Sequence, residues 1–277
     1  MNYPISQLSV NNPEPEEFNL SRERNYCVVK RTDLIQDIRY RKDQGSGKSL
    51  TLIEQKIILY MISHIKPEDT ELHTMVFDIP LFCEVCGIKK AGSGYYKQIK
   101  TALDSLLDKH IWLDNGDIEE SARWIEKVRL TKSKNTVEIQ LGEELAPYLL
   151  RLRENYTKYS IHNILSMKSK YSPRLYELLK SNVFKEPVLL FEVEDLKEFL
   201  DATNYDNKEF KRRVLDPAIN EINDCTDLEI GVMYSRAGGK TIKYVKFIIS
   251  DLNNGGEAER LKRLTRYLSV ESDLEKK

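Results

Sequence analysis

"NKEFKRRVLDPAINEIN", residues 207–223, decides how this chain folds. Wound at about 100° per residue, it gathers Phe210, Val214, Ala218 and Ile222 on one side, with Leu215 and Ile219 widening that stripe. Arg212, Arg213, Asp216 and Asn220 project from the other side, and Lys211 lies over the apolar side, so that its ammonium must snorkel outward. Three adjacent cations on what reads as the first turn of a helix are out of place, because the unpaired N–H groups there favour acidic side chains. The pattern asks for an anion from outside the protein. Pro217 inside the same stretch costs about 3 kcal/mol in a helix interior and predicts a kink or a loosened first turn.

Working outward, the stretch before this helix has a counterpart upstream. "FEVEDLKEFLDA" (191–202) matches "FDIPLFCEVCGI" (77–88), which aligns Phe191 with Phe77, Val193 with Ile79, Leu196 with Phe82 and Phe199 with Val85. Each copy begins with strand-like alternation, changes to helical spacing, and reaches a second helix through a turn-prone linker, "KKAGSG" or "TNYDN". The first copy's second helix carries the stripe Tyr96, Ile99, Leu103, Leu106 and Leu107. A hairpin pattern follows in both, "EKVRLTKSKNTVEIQL" and "LEIGVMYSRAGGKTIKYVKFIIS". Helix, helix, hairpin, twice over, predicts an α+β protein of two tandem winged-helix domains related by internal duplication.

Three further helix signals complete the outline. Thr32 reads as an N-cap in "VVKRTDLIQDIRY", Thr51 opens "TLIEQKIILYMISHI" with Glu54 at capping-box spacing, and "KSKYSPRLYELLKSN" has Ser172 as cap with Pro173 at the first helical position. The predicted organisation is a Pro-, Asn- and Glu-rich arm over residues 1–25, a first domain over 26–155, and a second over 156–277 ending in a C-terminal helix.

Composition narrows the function. The 277 residues include 43 Lys and Arg against 44 Asp and Glu, a net charge of −1, and 40% are hydrophobic, enough for sizeable cores. The even balance hides clustering, since Glu14, Glu16, Glu17 and Glu23 in the arm offset cations placed elsewhere. No apolar run approaches the roughly 18–20 residues that span a bilayer, and "MNYPISQLSVNNPEPEEF" lacks the layout of a signal peptide, so a cytoplasmic protein without membrane contact is expected. Cys83 and Cys86 form a single CxxC without a second pair or a nearby histidine, and read as packed thiols, like Cys27 and Cys225; no metal or other cofactor is expected. "GSGKS" (45–49) ends like a phosphate-binding loop, but Lys42 stands where that loop needs its first glycine. His64, His73, His110 and His162 are scattered, no nucleophile sits beside a base, and no enzyme is expected.

The remaining chemistry is nucleic-acid recognition. On the second helix of a helix-turn-helix, outward residues near the N-terminus reach base edges in a major groove; an Arg grips guanine and an Asn pairs with adenine. In the second domain this selects Lys208, Lys211, Arg212, Arg213 and Asn220, flanked by the wing cations Arg236, Lys240 and Lys243. In the first domain the equivalent set is Ser93, Tyr95, Lys97, Gln98 and Thr101, with Ser105 on the same face and Lys132 and Lys134 in the wing. The plain alternatives are a solvated face on which Arg213 pairs with Asp216, and a first domain that chiefly packs against a partner subunit.

"YSPRLYELLKS", "FEVEDLKEFL" and "FKRRVLDPAINEIN" resemble the second domain of plasmid replication initiators of the Rep_3 superfamily, the family of the F and pPS10 plasmid initiators. "VVKRTDLIQDIRY" and "TLIEQKIILYMI" resemble that family's first winged helix. The resemblance implies monomers that bind directly repeated origin sequences (iterons) in double-stranded DNA, help open an adjacent AT-rich segment and recruit host replication proteins. It also implies homodimers, in equilibrium with monomers, that repress their own promoter at an inverted repeat. Arg212 and Arg213, with Lys211, would then read one major groove, while the first domain contacts phosphates and supplies the dimer surface. A two-domain winged-helix transcriptional repressor and a protein-interaction scaffold are the competing expectations.

Overall fold

The computed structural model describes residues 26–39, 49–88, 94–114, 117, 119–236 and 241–252. The arm over 1–25, the C-terminal helix expected beyond 252 and residues 45–48 of "GSGKS" lie outside the described residues.

The chain opens with β1 (Cys27–Arg31), where Val28 and Lys30 alternate inward. The helix expected from Thr32 is a single turn, α1 (Asp33–Gln36), followed by the short strand β2 (Ile38–Arg39). Thr32 holds the N-cap position as expected, its carbonyl accepting from the Gln36 amide at 3.0 Å, but its hydroxyl makes no capping bond and instead meets that of Thr157 at 3.2 Å. The residues that follow instead join a sheet, Ile38 and Arg39 pairing antiparallel with Leu113 and Trp112. In contrast, α2 (Leu52–Ser63) has its full capping box, with the Glu54 amide donating to Thr51 Oγ1 and the Thr51 amide donating to the Glu54 carboxylate. Every residue from Glu54 to Ser63 is buried, so this is a central helix with polar groups paired internally. Lys56 donates to the carbonyls of Cys86 and Leu165 at 2.7 and 2.6 Å, and Glu54 pairs with Lys109 at 2.5 Å.

The repeated unit follows. β3 (Met75–Asp78) runs into α3 (Ile79–Val85), with the Asp78 carboxylate accepting from the Leu81 amide. Next come α4 (Gly94–Leu107), two strands absent from the sequence reading, β4 (His110–Asp114) and β5 (Glu119–Arg123), and the wing hairpin β6 (Ile125–Thr131) and β7 (Thr136–Leu141). β2, β4 and β5 make a sheet of their own, and β3, β7 and β6 form the winged-helix sheet.

A linking region leads to the second unit. It comprises α5 (Ala146–Leu149), β8 (Tyr156–Ser160), α6 (His162–Leu165) and α7 (Ser172–Asn182). The boundary read from the sequence falls just before β8, and β8 pairs antiparallel with β1. Ser172 is not the cap of α7: Tyr171 holds that place, and Ser172 Oγ is buried without a hydrogen-bond partner. Pro173 fits one position later because the whole first turn lacks acceptors for its N–H groups. Leu175, Leu178 and Leu179 face inward as expected.

The second unit begins with β9 (Val188–Glu192) and α8 (Val193–Phe199), continues through α9 (Asn207–Phe210), a π-helical turn (Lys211–Leu215) and α10 (Asp216–Cys225), and ends in the hairpin β10 (Leu228–Ser235) and β11 (Tyr244–Asp251). Its sheet order, β9-β11-β10, reproduces β3-β7-β6. Phe77 faces Val137 in one sheet, and Phe191 faces Val245 in the other. Asp78 and Glu192, which correspond in the sequence match, both occupy the N-cap of the helix that follows. The duplicated winged helix is therefore present in register.

Buried residues of both units form one cluster, running from Val28 to Ile249. Buried polar bonds tie α7 to the first unit: Lys30 pairs with Glu177 at 2.6 Å, Tyr159 donates to Glu177, and Gln36 donates to Ser181 at 3.0 Å. Cys83 and Cys86 sit fully inside, where burial pushes the Cys83 thiol up to about 12 and raises that of Cys86 as well. Among the described residues no helix is long and apolar enough to cross a membrane.

Candidate nucleic-acid interface

The cation run does not occupy a helix start. The helix begins at Asn207, where the Asp206 carboxylate accepts from the Glu209 amide at 2.8 Å and Glu209 supplies a first-turn acid. Lys211, Arg212 and Arg213 come a turn later, beyond the strongest part of the dipole, so the conflict seen in the sequence is relieved by the protein's own acids.

Pro217 is accommodated by a loosened turn. It lies in the first turn of α10, and the preceding turn widens to π geometry, with the Asp216 amide donating to Lys211 O. Inserting one residue in this way lets the helix continue past a missing N–H. It also explains the burial pattern. Neighbours Val214 and Leu215 are both 0% exposed, as are Phe210, Ala218 and Ile222, while Arg212 and Arg213 both remain outside.

The three cations have separate surroundings. Arg212 donates Nε and Nη2 to the two Glu209 oxygens at 3.1 and 2.8 Å, and Arg213 donates Nε to the same carboxylate. The alternative partner for Arg213, Asp216, is taken: it accepts from Lys211 and from the Tyr234 hydroxyl at 2.8 Å. Lys211 also lies 4.6 Å over the Tyr234 ring, so it ties the π turn to wing strand β10. The arginine side chains stay 59% and 57% exposed despite their pairing, which leaves them on an open ridge. Lys208 and Asn220 are exposed on the same helix.

The ridge is anchored from behind. Lys197, buried in α8, donates to Asn207, and Asn207 donates in turn to Ile242 O at 2.7 Å, which pins the helix start to the wing. The amide of Val193 bonds Lys243 O at 2.9 Å, so the wing base is fixed to α8 as well. Arg236 and Lys243 are exposed, the latter with its ammonium 5.3 Å over the Tyr244 ring; Lys240 lies outside the described residues.

Hydrogen bonds from Arg212, then Arg213, hold the Glu209 carboxyl down from 4.5 to about 2. A depressed carboxyl contributes stability that is complete above its unfolded value and is lost as pH falls through the folded one, so this contribution should fade between pH 4.5 and about 2. Carbon-detected NMR of the Glu209 side chain should show a midpoint near 2; a midpoint at 4.5 would mean the arginines are not bound to it in solution.

The first unit is sparser. Lys97 and Thr101 project from α4, and Lys132 and Lys134 stand exposed in the 3-10 turn at the wing tip, closed by left-handed Asn135 at φ 52°. Gln98 and Ser105 differ from the outward placement read in the sequence. Both are half-buried, and Gln98 Oε1 is turned inside without a partner, because Ile99 and Ala102 beside it draw that flank of the helix into the core. Tyr95 is also half-buried, packed on the core rather than standing free. Ser93 lies outside the described residues.

Two winged helices in tandem, the second presenting an arginine ridge beside its wing, define a protein of the winged-helix DNA-binding class. Residues 27–180 match the family described as "Initiator Replication protein, WH1", and residues 192–249 match "Initiator Rep protein, WH2". The chain belongs to this family of replication initiators. It is also similar to a replication initiation protein of Escherichia coli, 25% identical over 199 residues that cover 68% of this chain and 61% of that relative, so the match spans less than two thirds of the relative's length.

Proposed function

We propose that the chain initiates plasmid replication from the cytoplasm, binding directly repeated origin sequences as a monomer, promoting opening of the adjacent DNA and recruiting host replication proteins. As a homodimer it represses its own promoter. Membership of the initiator family supports the replication role. The observation that carries DNA recognition is the ridge of Arg212 and Arg213, exposed on the second winged helix and pinned at its base.

In this scheme Arg212, Arg213 and Asn220 meet base edges in a major groove, and Lys208, Arg236, Lys240 and Lys243 meet the flanking phosphates. Lys211 acts at one remove, through its bond to Asp216, by holding helix and wing together. The first unit contacts the next groove's phosphates through Lys97, Thr101, Lys132 and Lys134 and contributes the dimer surface.

Footprinting the chain on the DNA beside its own coding region tests this. Several protected direct repeats, each about two helical turns apart, are expected. Affinity should fall steeply between two salt concentrations, with a slope of about −0.9 for each phosphate neutralised. Protection of a lone inverted repeat would reduce the function to repression. No protection even at low salt would remove DNA binding altogether.

A further inference from the structure

We propose that Glu209 is a positioning residue for base recognition: one carboxylate braces both Arg212 and Arg213 so that their outer guanidinium edges face the groove together. The proposal rests on the DNA-binding reading above and adds to it the residue that sets specificity.

The geometry is that of a brace. Glu209 stands three and four residues before the arginines, the two spacings that share a helix face, and its two oxygens receive three N–H groups. Arg213 is held through Nε and Arg212 through Nε and Nη2. A guanidinium has five N–H donors, so Nη1 and the outward hydrogen of Nη2 remain on both. That edge offers two parallel donors, the pattern that matches guanine O6 and N7.

Bracing changes the energetics of recognition. A long, exposed arginine surrenders rotamer freedom when it docks, and a side chain already held surrenders less. The ion pairs themselves contribute little to folding at this exposure. A carboxylate on a DNA-facing ridge also repels every duplex alike, whatever its sequence. Glu209 should therefore weaken non-specific binding while strengthening the cognate contact, and the ratio of the two separates this role from a helix-surface ion pair.

The test uses the full chain. A duplex is first selected from a random library by the wild-type chain, and a scrambled duplex of equal length serves as reference. Dissociation constants for both duplexes are then measured for the wild type, Glu209→Gln, the Arg212→Lys, Arg213→Lys pair, and the combination. Glu209→Gln should lower the specificity ratio about tenfold through weaker cognate binding, with scrambled binding unchanged or tighter. In the lysine background, where no guanidinium fork remains, Glu209→Gln should leave the ratio where it was. An unchanged ratio in the wild-type background, or an equal fall in both backgrounds, would overturn the brace while leaving DNA recognition intact. If the wild-type chain enriches no duplex at all, DNA recognition falls, and the brace with it.

Discussion

Lys180→Met should destabilise the chain by about 3–5 kcal/mol, the cost of removing one member of a buried ion pair. Lys180 projects from α7 into a site where its ammonium lies 2.7 Å from Asp227 and 2.6 Å from Asp251, and the lysine and Asp251 are only 5% and 3% exposed. Asp227 also accepts from the Tyr176 hydroxyl at 2.8 Å and Asn163 Nδ2 at 2.9 Å, and the lysine is shared between both carboxylates. Methionine keeps most of the side-chain volume, so the loss reports charge rather than a cavity. The site also joins four pieces of the fold, namely α6, α7, the turn between α10 and β10, and the end of β11. Urea unfolding at neutral pH measures the effect. A loss below about 1 kcal/mol would show that the carboxylates find other partners or that water reaches them.

This network was invisible in the sequence for a physical reason. Lys180 lies 47 residues from Asp227 and 71 from Asp251, and no local pattern marks a lysine as buried when its partners are that remote. Lys30, Lys56 and Lys197 share the difficulty: each is buried, and each reads locally as a polar residue on a helix or strand. What was legible had local periodicity behind it. The stripe Phe210, Val214, Ala218 and Ile222 needed only helical spacing, and the repeat of β3–α3 in β9–α8 needed only the switch from alternation to that spacing. The capping box at Thr51 and Glu54 was legible because both partners lie within one turn. The candidate site was legible in half. Sequence periodicity put Arg212 and Arg213 outside, but the helix start was set one turn late, which hid Glu209 as their shared partner and the π turn that accommodates Pro217. Proline was the one available signal for that turn, and it left open how the backbone would respond.

Replacing both arginines, Arg212→Ala with Arg213→Ala, should remove about 2–6 kcal/mol of discrimination between the cognate duplex and a scrambled one, taking each bidentate contact at about 1–3 kcal/mol. Full additivity is not expected, because both side chains share the Glu209 carboxylate and each single change alters how the other is held. The single Arg213→Ala should therefore relax preference at one or two base pairs, and the double change should cost more or less than twice as much. Folding should be nearly untouched, since both side chains are more than half exposed and the buried stripe beneath them is unaltered. Changing a wing cation makes the contrast. Lys240→Ala should weaken cognate and scrambled binding about equally and reduce the salt slope by about 1, the signature of a phosphate contact. If the arginine pair behaved in the same way, losing affinity for both duplexes in parallel, the ridge would be a phosphate clamp, and sequence would have to be read elsewhere on the chain.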